Sequence, residues 1–225
     1  MIAALLSTLT LAGPPFTPRH LSPFQMAKAR WVLEHRLPCL GCHELAGDGG
    51  RIGPSLGGVG ARRSPDYIYR MIADPQRTLP GTIMPKVPMS DATRELVANY
   101  LLQRDAAPSP APLVARLPPA ASPDSAAALY ARSCALCHGA AGNGDGPNVP
   151  YLPATPTAHA DATYMSTRTD AELYDAIAAG GYVMHRSNRM PAFGETIGPA
   201  QIWALVRYLR LFCRCQGPAW SRGAP

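Results

Sequence analysis

The stretch Arg132–Ala140, RSCALCHGA, places two cysteines three positions apart and a histidine directly after the second. A second copy, PCLGCHEL, occupies residues 38–45, and the two copies use four of the six cysteines in the chain. Three chemistries employ thiols paired in this way. A structural zinc site draws two pairs together over a short spacing, but here the pairs lie far apart, on either side of a proline-rich stretch. A thioredoxin-type redox pair needs a βαβ context, which the flanking sequence lacks. Covalent haem attachment has this five-residue pattern as its signature, histidine included. Residues i and i+3 share one face of a helical turn, so both thiols can add to the two vinyl groups along one porphyrin edge. The next residue then offers its imidazole to the iron. The spacing therefore predicts two haem c groups, anchored by Cys39, Cys42, Cys134 and Cys137, with His43 and His138 as iron ligands.

Outward from the two motifs the halves repeat one another. Each motif is preceded by a helical stretch that opens on Ser-Pro (SPFQMAKARWVLEHRL and SPDSAAALYARS), a cap followed by proline in the first turn. Each is followed by a glycine-rich loop, a short helical stretch, a Met-Pro pair (TIMPK and RMPAF) and a last amphipathic helix. In the last helices Leu96, Val97, Tyr100 and Leu101, and then Ile202, Leu205, Val206 and Leu209, recur with helical spacing. No alternating run competes, so the expected fold class is all-α: two tandem small helical domains, each wrapped around one haem. RDAAPSPAPLVARLPPAASPDS, with its prolines and alanines, reads as an extended linker. The expected organisation is a signal or anchor segment over 1–19, domains over 20–104 and 125–213 joined by a linker over 105–124, and a tail over 214–225.

The bulk composition agrees with small domains built on a bound group. The chain has 225 residues, 47 % of them hydrophobic but only 7 % aromatic, with 25 prolines. Two domains of under about a hundred residues have little apolar material for a core and often lean on a cofactor. The net charge of +6 comes from scattered arginines with no run and no nucleic-acid motif, so nucleic acid is excluded as a partner. MIAALLSTLTLAG is apolar up to the break at Pro14-Pro15 and suits the core of an export signal, falling short of a spanning helix. The reading leaves a retained N-terminal membrane anchor open. It places the mature protein in the periplasm or another extracytoplasmic space, free or membrane-associated.

With LYARSCALCHGAAGNGDGP, MPAFGETIGPAQIWALVRYLR and, more loosely, CLGCHELAGDGGRIGPSL with GTIMP, the sequence resembles the dihaem class I c-type cytochromes from Ser22 to about Phe212. The resemblance implies that the first and last helices of each domain cross through small and aromatic residues, with Tyr130 and Tyr208 in those places and Trp31 as a displaced aromatic in the first domain. It also implies that proline carbonyls, those of Pro54 and Pro147, receive the second ring nitrogen of each ligand histidine and fix its tautomer. The sixth ligands follow from the Met-Pro pairs: Met84 and Met190, a soft sulfur that paired with histidine raises the reduction potential. Met89 is the rival in the first half and Met184 or His185 in the second; Met89, beside the cap Ser90, reads as a packing residue. His20, His35 and His159 have no motif around them, so each reads as a surface or satisfied-core histidine. Cys213 and Cys215 belong to neither motif; a disulfide between them, a bond to a partner and free thiols all remain open.

These readings describe an electron carrier and not an enzyme, with redox proteins (an oxidase, reductase or dehydrogenase, free or in a membrane complex) as partners. The alternative is the haem subunit of such an enzyme, or a dihaem peroxidase with a displaceable sixth ligand. Docking is expected around exposed thioether edges, with Arg186, Arg189, Arg207 and Arg210 as a steering patch, and the linker is expected to keep the two sites independent.

Overall fold

A computed structural model describes residues 14–105, 111–113 and 125–222. The N-terminal apolar stretch up to residue 13 and most of the expected linker lie outside the described residues.

Side-chain caps start most of the longer helices. In the first half, Ser22 caps α1 (Pro23–His35) in a reciprocal box with Gln25, and the first cysteine pair forms the single turn α2 (Cys39–Cys42). There follow α3 (Val59–Arg62), α4 (Pro65–Ala73) capped by Ser64, α5 (Pro75–Thr78) capped by Asp74 and α6 (Asp91–Leu102) capped by Ser90. The second half repeats the plan with α7 (Ala126–Ser133), the cysteine turn α8 (Ala135–His138), α9 (Ala162–Met165), α10 (Asp170–Val183) and α11 (Pro199–Cys213). The cap of α7 is Ser125, not the upstream Ser122-Pro123 pair, which lies outside the described residues. Among the described residues there is no strand, only an isolated bridge between Leu45 and Asp48, so the molecule is all-α.

Each half has its own apolar centre where its first and last long helices meet. In the first, Ala29 and Leu33 of α1 pack with Val97, Tyr100 and Leu101 of α6, joined by Leu21 and Leu40. In the second, Leu129 and Tyr130 of α7 pack with Ile202, Leu205, Val206 and Leu209 of α11. Tyr130 stands 5.6 Å from Tyr208 and 4.8 Å from Phe212, ring centre to ring centre. The first half has no such cluster. Trp31 is 48 % exposed and stacks on His35 at the surface, because it lies on the outer face of α1 while Ala29 and Leu33 turn inward. A polar strap helps close this half instead: buried Asn99 accepts from the Arg19 N–H at 2.7 Å and donates to the Glu95 carbonyl at 2.8 Å.

The halves are docked on each other, contrary to the independence expected from the linker. Arg189 pairs with Asp48 at 2.8 Å, and Lys86 with Glu195 at 3.2 Å. The Asn188 amide donates to the Glu34 and Leu37 carbonyls, each at 3.1 Å. Arg51 lies over the Tyr151 ring at 4.3 Å and Arg36 over Tyr182 at 5.0 Å. The carbonyl of Arg189 sits so close to Gly41 that a Cβ there would lie 1.9 Å from it. Only glycine fits at that point of the first cysteine turn.

Candidate functional site

Both cysteine motifs close as the same turn. The His43 N–H donates to the Cys39 carbonyl and the His138 N–H to the Cys134 carbonyl, each at 2.9 Å. All four motif cysteines are free thiols, whereas Cys213 and Cys215 are joined as a disulfide. Burial pushes the Cys39 thiol up to about 11 and those of Cys42 and Cys134 up to about 12. Cys137 is raised for the same reason. Among the described residues no three His, Cys, Asp or Glu side chains converge as a metal-binding cluster.

Each motif histidine has one ring nitrogen engaged by a backbone carbonyl. His43 Nδ1 donates to the Pro54 carbonyl at 2.7 Å, and burial holds its imidazole below the usual value, the bond to Pro54 partly opposing this. With Nδ1 protonated and engaged, Nε2 carries the lone pair a metal needs. His138 has the same state but a different partner: its Nδ1 donates to the Thr157 carbonyl at 2.9 Å. The expectation for Pro147 is thus corrected. Pro147 is exposed at the turn, and the chain after it dips inward to bury Asn148 completely; the carbonyl that reaches His138 arrives only after the 3₁₀ turn Val149–Tyr151.

His159, which no motif marks, is buried and stacks on His138 with ring centres 4.2 Å apart. Its Nδ1 lies 3.2 Å from the Tyr130 hydroxyl, which also donates to the Gly139 carbonyl at 3.0 Å. Burial first, and His138 second, push the His159 imidazole down to about 3, so it is neutral near pH 7. Nothing in the sequence distinguished it from an ordinary core histidine.

The methionines sort by their surroundings. Met89 packs against the apolar centre of the first half and Met165 belongs to that of the second. Met84 and Met190 are half-buried and belong to neither centre. Met184 caps the end of α10, and His185 is exposed. The Met190 segment is laid along α10, which kinks at Gly180 (φ 79°): the Gly181 N–H donates to the Met190 carbonyl at 3.0 Å and the Phe193 N–H to the Ile177 carbonyl at 2.9 Å. Gln76 holds the Met84 carbonyl at 2.7 Å. Each methionine loop is also gripped by the opposite half. Asn188 and Arg189 reach the end of α1 and Asp48, while Arg132 donates to the Gly81 carbonyl and Thr196 accepts from the Lys86 N–H at 2.8 Å.

This docking turns the attachment turns toward each other. Cys137 lies within electrostatic reach of Cys42 and adds to the rise of its thiol. Asn148 donates to the Gly41 carbonyl at 2.9 Å and accepts from the Arg51 N–H at 2.8 Å. The two attachment turns therefore face each other across the seam, with their cysteines partly exposed. The proposed arginine patch is also divided. Arg189 is held by Asp48, and Arg210 by Asp170 and the carbonyls of Met165 and Arg168; Arg186 and Arg207 remain exposed.

Two thiols in one turn, a histidine with its second nitrogen engaged and a docked methionine loop, present in both halves, fit covalently bound haem. Residues 36–105 match the family described as cytochrome c, and residues 121–209 the family described as cytochrome C oxidase, cbb3-type, subunit III. The chain belongs to the class I c-type cytochromes, with two domains in tandem. No curated protein matches the sequence. Among solved structures, the chain is similar to one from the Kuenenia stuttgartiensis reducing HAO-like protein complex, at 19 % identity over 77 % of this chain and 79 % of that one, with a TM-score of 0.32; a superposition that poor carries no argument. As a c-type cytochrome the chain works by haem-based electron transfer with redox partners.

Proposed function

We propose that this tandem cytochrome is an electron carrier with two haems c, held through Cys39 and Cys42 and through Cys134 and Cys137. His43 and Met84 ligate one iron, and His138 and Met190 the other. When bound, the haem iron supplies reversible one-electron chemistry. The chain would anchor it through the thiols, fix the imidazole tautomers through the Pro54 and Thr157 carbonyls, and offer the soft sulfurs of Met84 and Met190 as second ligands, which would favour a raised potential. The observation that carries this reading is the orientation of both histidines, each with Nδ1 on a backbone carbonyl beside a pair of free thiols. The apolar N-terminal stretch and the Cys213–Cys215 disulfide support an oxidising, extracytoplasmic location.

The test is a count of covalent haem on the denatured chain, with peroxide added to the native protein. Two haems per chain and no spectral change with peroxide are expected; fewer haems, or a peroxide complex, contradict the reading. A second reading, the haem subunit of a membrane oxidase, is favoured by the family matched over residues 121–209. It predicts co-purification with a catalytic subunit from membranes, where a free carrier is recovered alone. Among the described residues no helix is long and apolar enough to cross a membrane.

A further inference from the structure

Asn148 is a polar side chain with no exposed surface, the most completely buried of the polar residues in its half. Burying an amide is costly unless its groups are satisfied, and here each is satisfied at the seam between the halves. Its Oδ1 accepts from the Arg51 N–H at 2.8 Å. Its Nδ2 donates to the Gly41 carbonyl at 2.9 Å and stands 3.4 Å from Cys137 Sγ. Gly41 directly precedes Cys42. The side chain thus spans from an attachment sulfur of the second site to the backbone that carries an attachment sulfur of the first. Ser55 holds the corresponding place in the first half, after Gly53-Pro54, and its hydroxyl accepts locally from the Gly57 N–H at 3.2 Å. The asymmetry marks Asn148 as a bridge and not as a requirement of the haem turn.

We infer that Asn148 is the positioning residue for electron transfer between the two haems, linking Cys137 Sγ to the Gly41–Cys42 backbone by hydrogen bonds. The inference rests on the electron-carrier reading above. The step moves one electron and nothing else: one iron passes from ferrous to ferric as the other passes from ferric to ferrous, with no bond broken and no proton transferred. The route is short, with one sulfur–amide contact, one amide–carbonyl hydrogen bond and then covalent chain to Cys42.

The experiment uses the holoprotein. Pulse radiolysis with a small organic radical reduces one haem faster than the two equilibrate, and the internal step is followed optically alongside a redox titration. Asn148→Leu should slow the internal step several-fold, beyond what any change in the two potentials accounts for. Glu195→Gln removes a different contact of the same seam, the pair with Lys86, and should leave that step near the wild-type rate. Equal slowing in both variants would reduce Asn148 to a structural contact, and a wild-type rate in Asn148→Leu would overturn the proposal outright. Where the leucine variant fails to load both haems, Asn148→Asp serves, since it keeps an acceptor for Arg51 but loses the donor to Gly41 and Cys137. Independently of electron transfer, the Asn148 side-chain amide should show protected hydrogen exchange by nitrogen-15 NMR, and free exchange would mean the bridge is absent. If neither haem of the wild-type protein accepts an electron from the radical, the carrier reading itself has failed, which is a separate result.

Discussion

The two halves carry the same motif in the same order of helices and hold it by different means. The first is closed by small and aliphatic side chains around the single buried aromatic Tyr100 and by a polar strap, with Asn99 and Gln103 fastening residues 19–21 to α6. The second is closed by aromatic packing around Tyr130, extended to the ligand His138 through His159. The third residue of the motif shows why they diverge. It is Gly41 in the first half, pressed by the Arg189 carbonyl, and buried Leu136 in the second. One turn has been hollowed to receive its neighbour, while the other fills its own core. The difference belongs to the interface and not to haem binding.

The largest effect should come from His138→Ala. A small cytochrome domain has its haem as a large part of its core, so the second half should fail to fold and the denatured chain should keep one haem; retention of both would contradict this role. Next, the matched position should respond with opposite mechanisms. Leu136→Ala should cost about 2–5 kcal/mol through a cavity and Gly41→Ala about 1–3 kcal/mol through overpacking. Only the glycine variant should also loosen the seam, seen as faster amide exchange at Arg51. Asn99→Ala should cost about 1–3 kcal/mol, because it leaves the Arg19 N–H without its partner, and denaturant unfolding should show the loss in the first half alone.

The smallest effect concerns the outer end of the strap. Asp66 accepts from the Phe16 N–H at 3.0 Å and pairs with Arg70, and these hold its carboxyl below the ordinary value of 3.8. A carboxylate lowered in the folded state stabilises it above the unfolded value, and the contribution is lost as pH falls through the folded value. Amide exchange at Phe16 should therefore quicken only on acidification below about 3.8, and Asp66→Asn should abolish that dependence.

Much of this was legible in the sequence, because a haem motif is a local pattern and helix caps are local chemistry. The two cysteine turns with their histidines, the last helices with Val97 and Leu205, and the all-α class all follow from spacing. What was not legible depends on how distant segments meet. Thr157 replaces Pro147 as the partner of His138 because the loop between them turns inward, and no periodicity encodes that. Trp31 faces outward because Ala29 and Leu33, two residues to either side, take the inner face. The docking of the halves left one faint trace: a glycine within the first motif and an asparagine after Gly146-Pro147, where the sister half has leucine and serine.

The central claim is that each haem is a His/Met electron-transfer centre. It is tested most directly by a redox titration of the holoprotein that follows the charge-transfer band reporting a methionine bond to ferric iron. Two one-electron waves are expected. Met84→Ala should remove about half of the band and lower one potential, and Met190→Ala should remove the other half and lower the second. A band untouched by either substitution, or lost instead with Met89→Ala, would contradict the account.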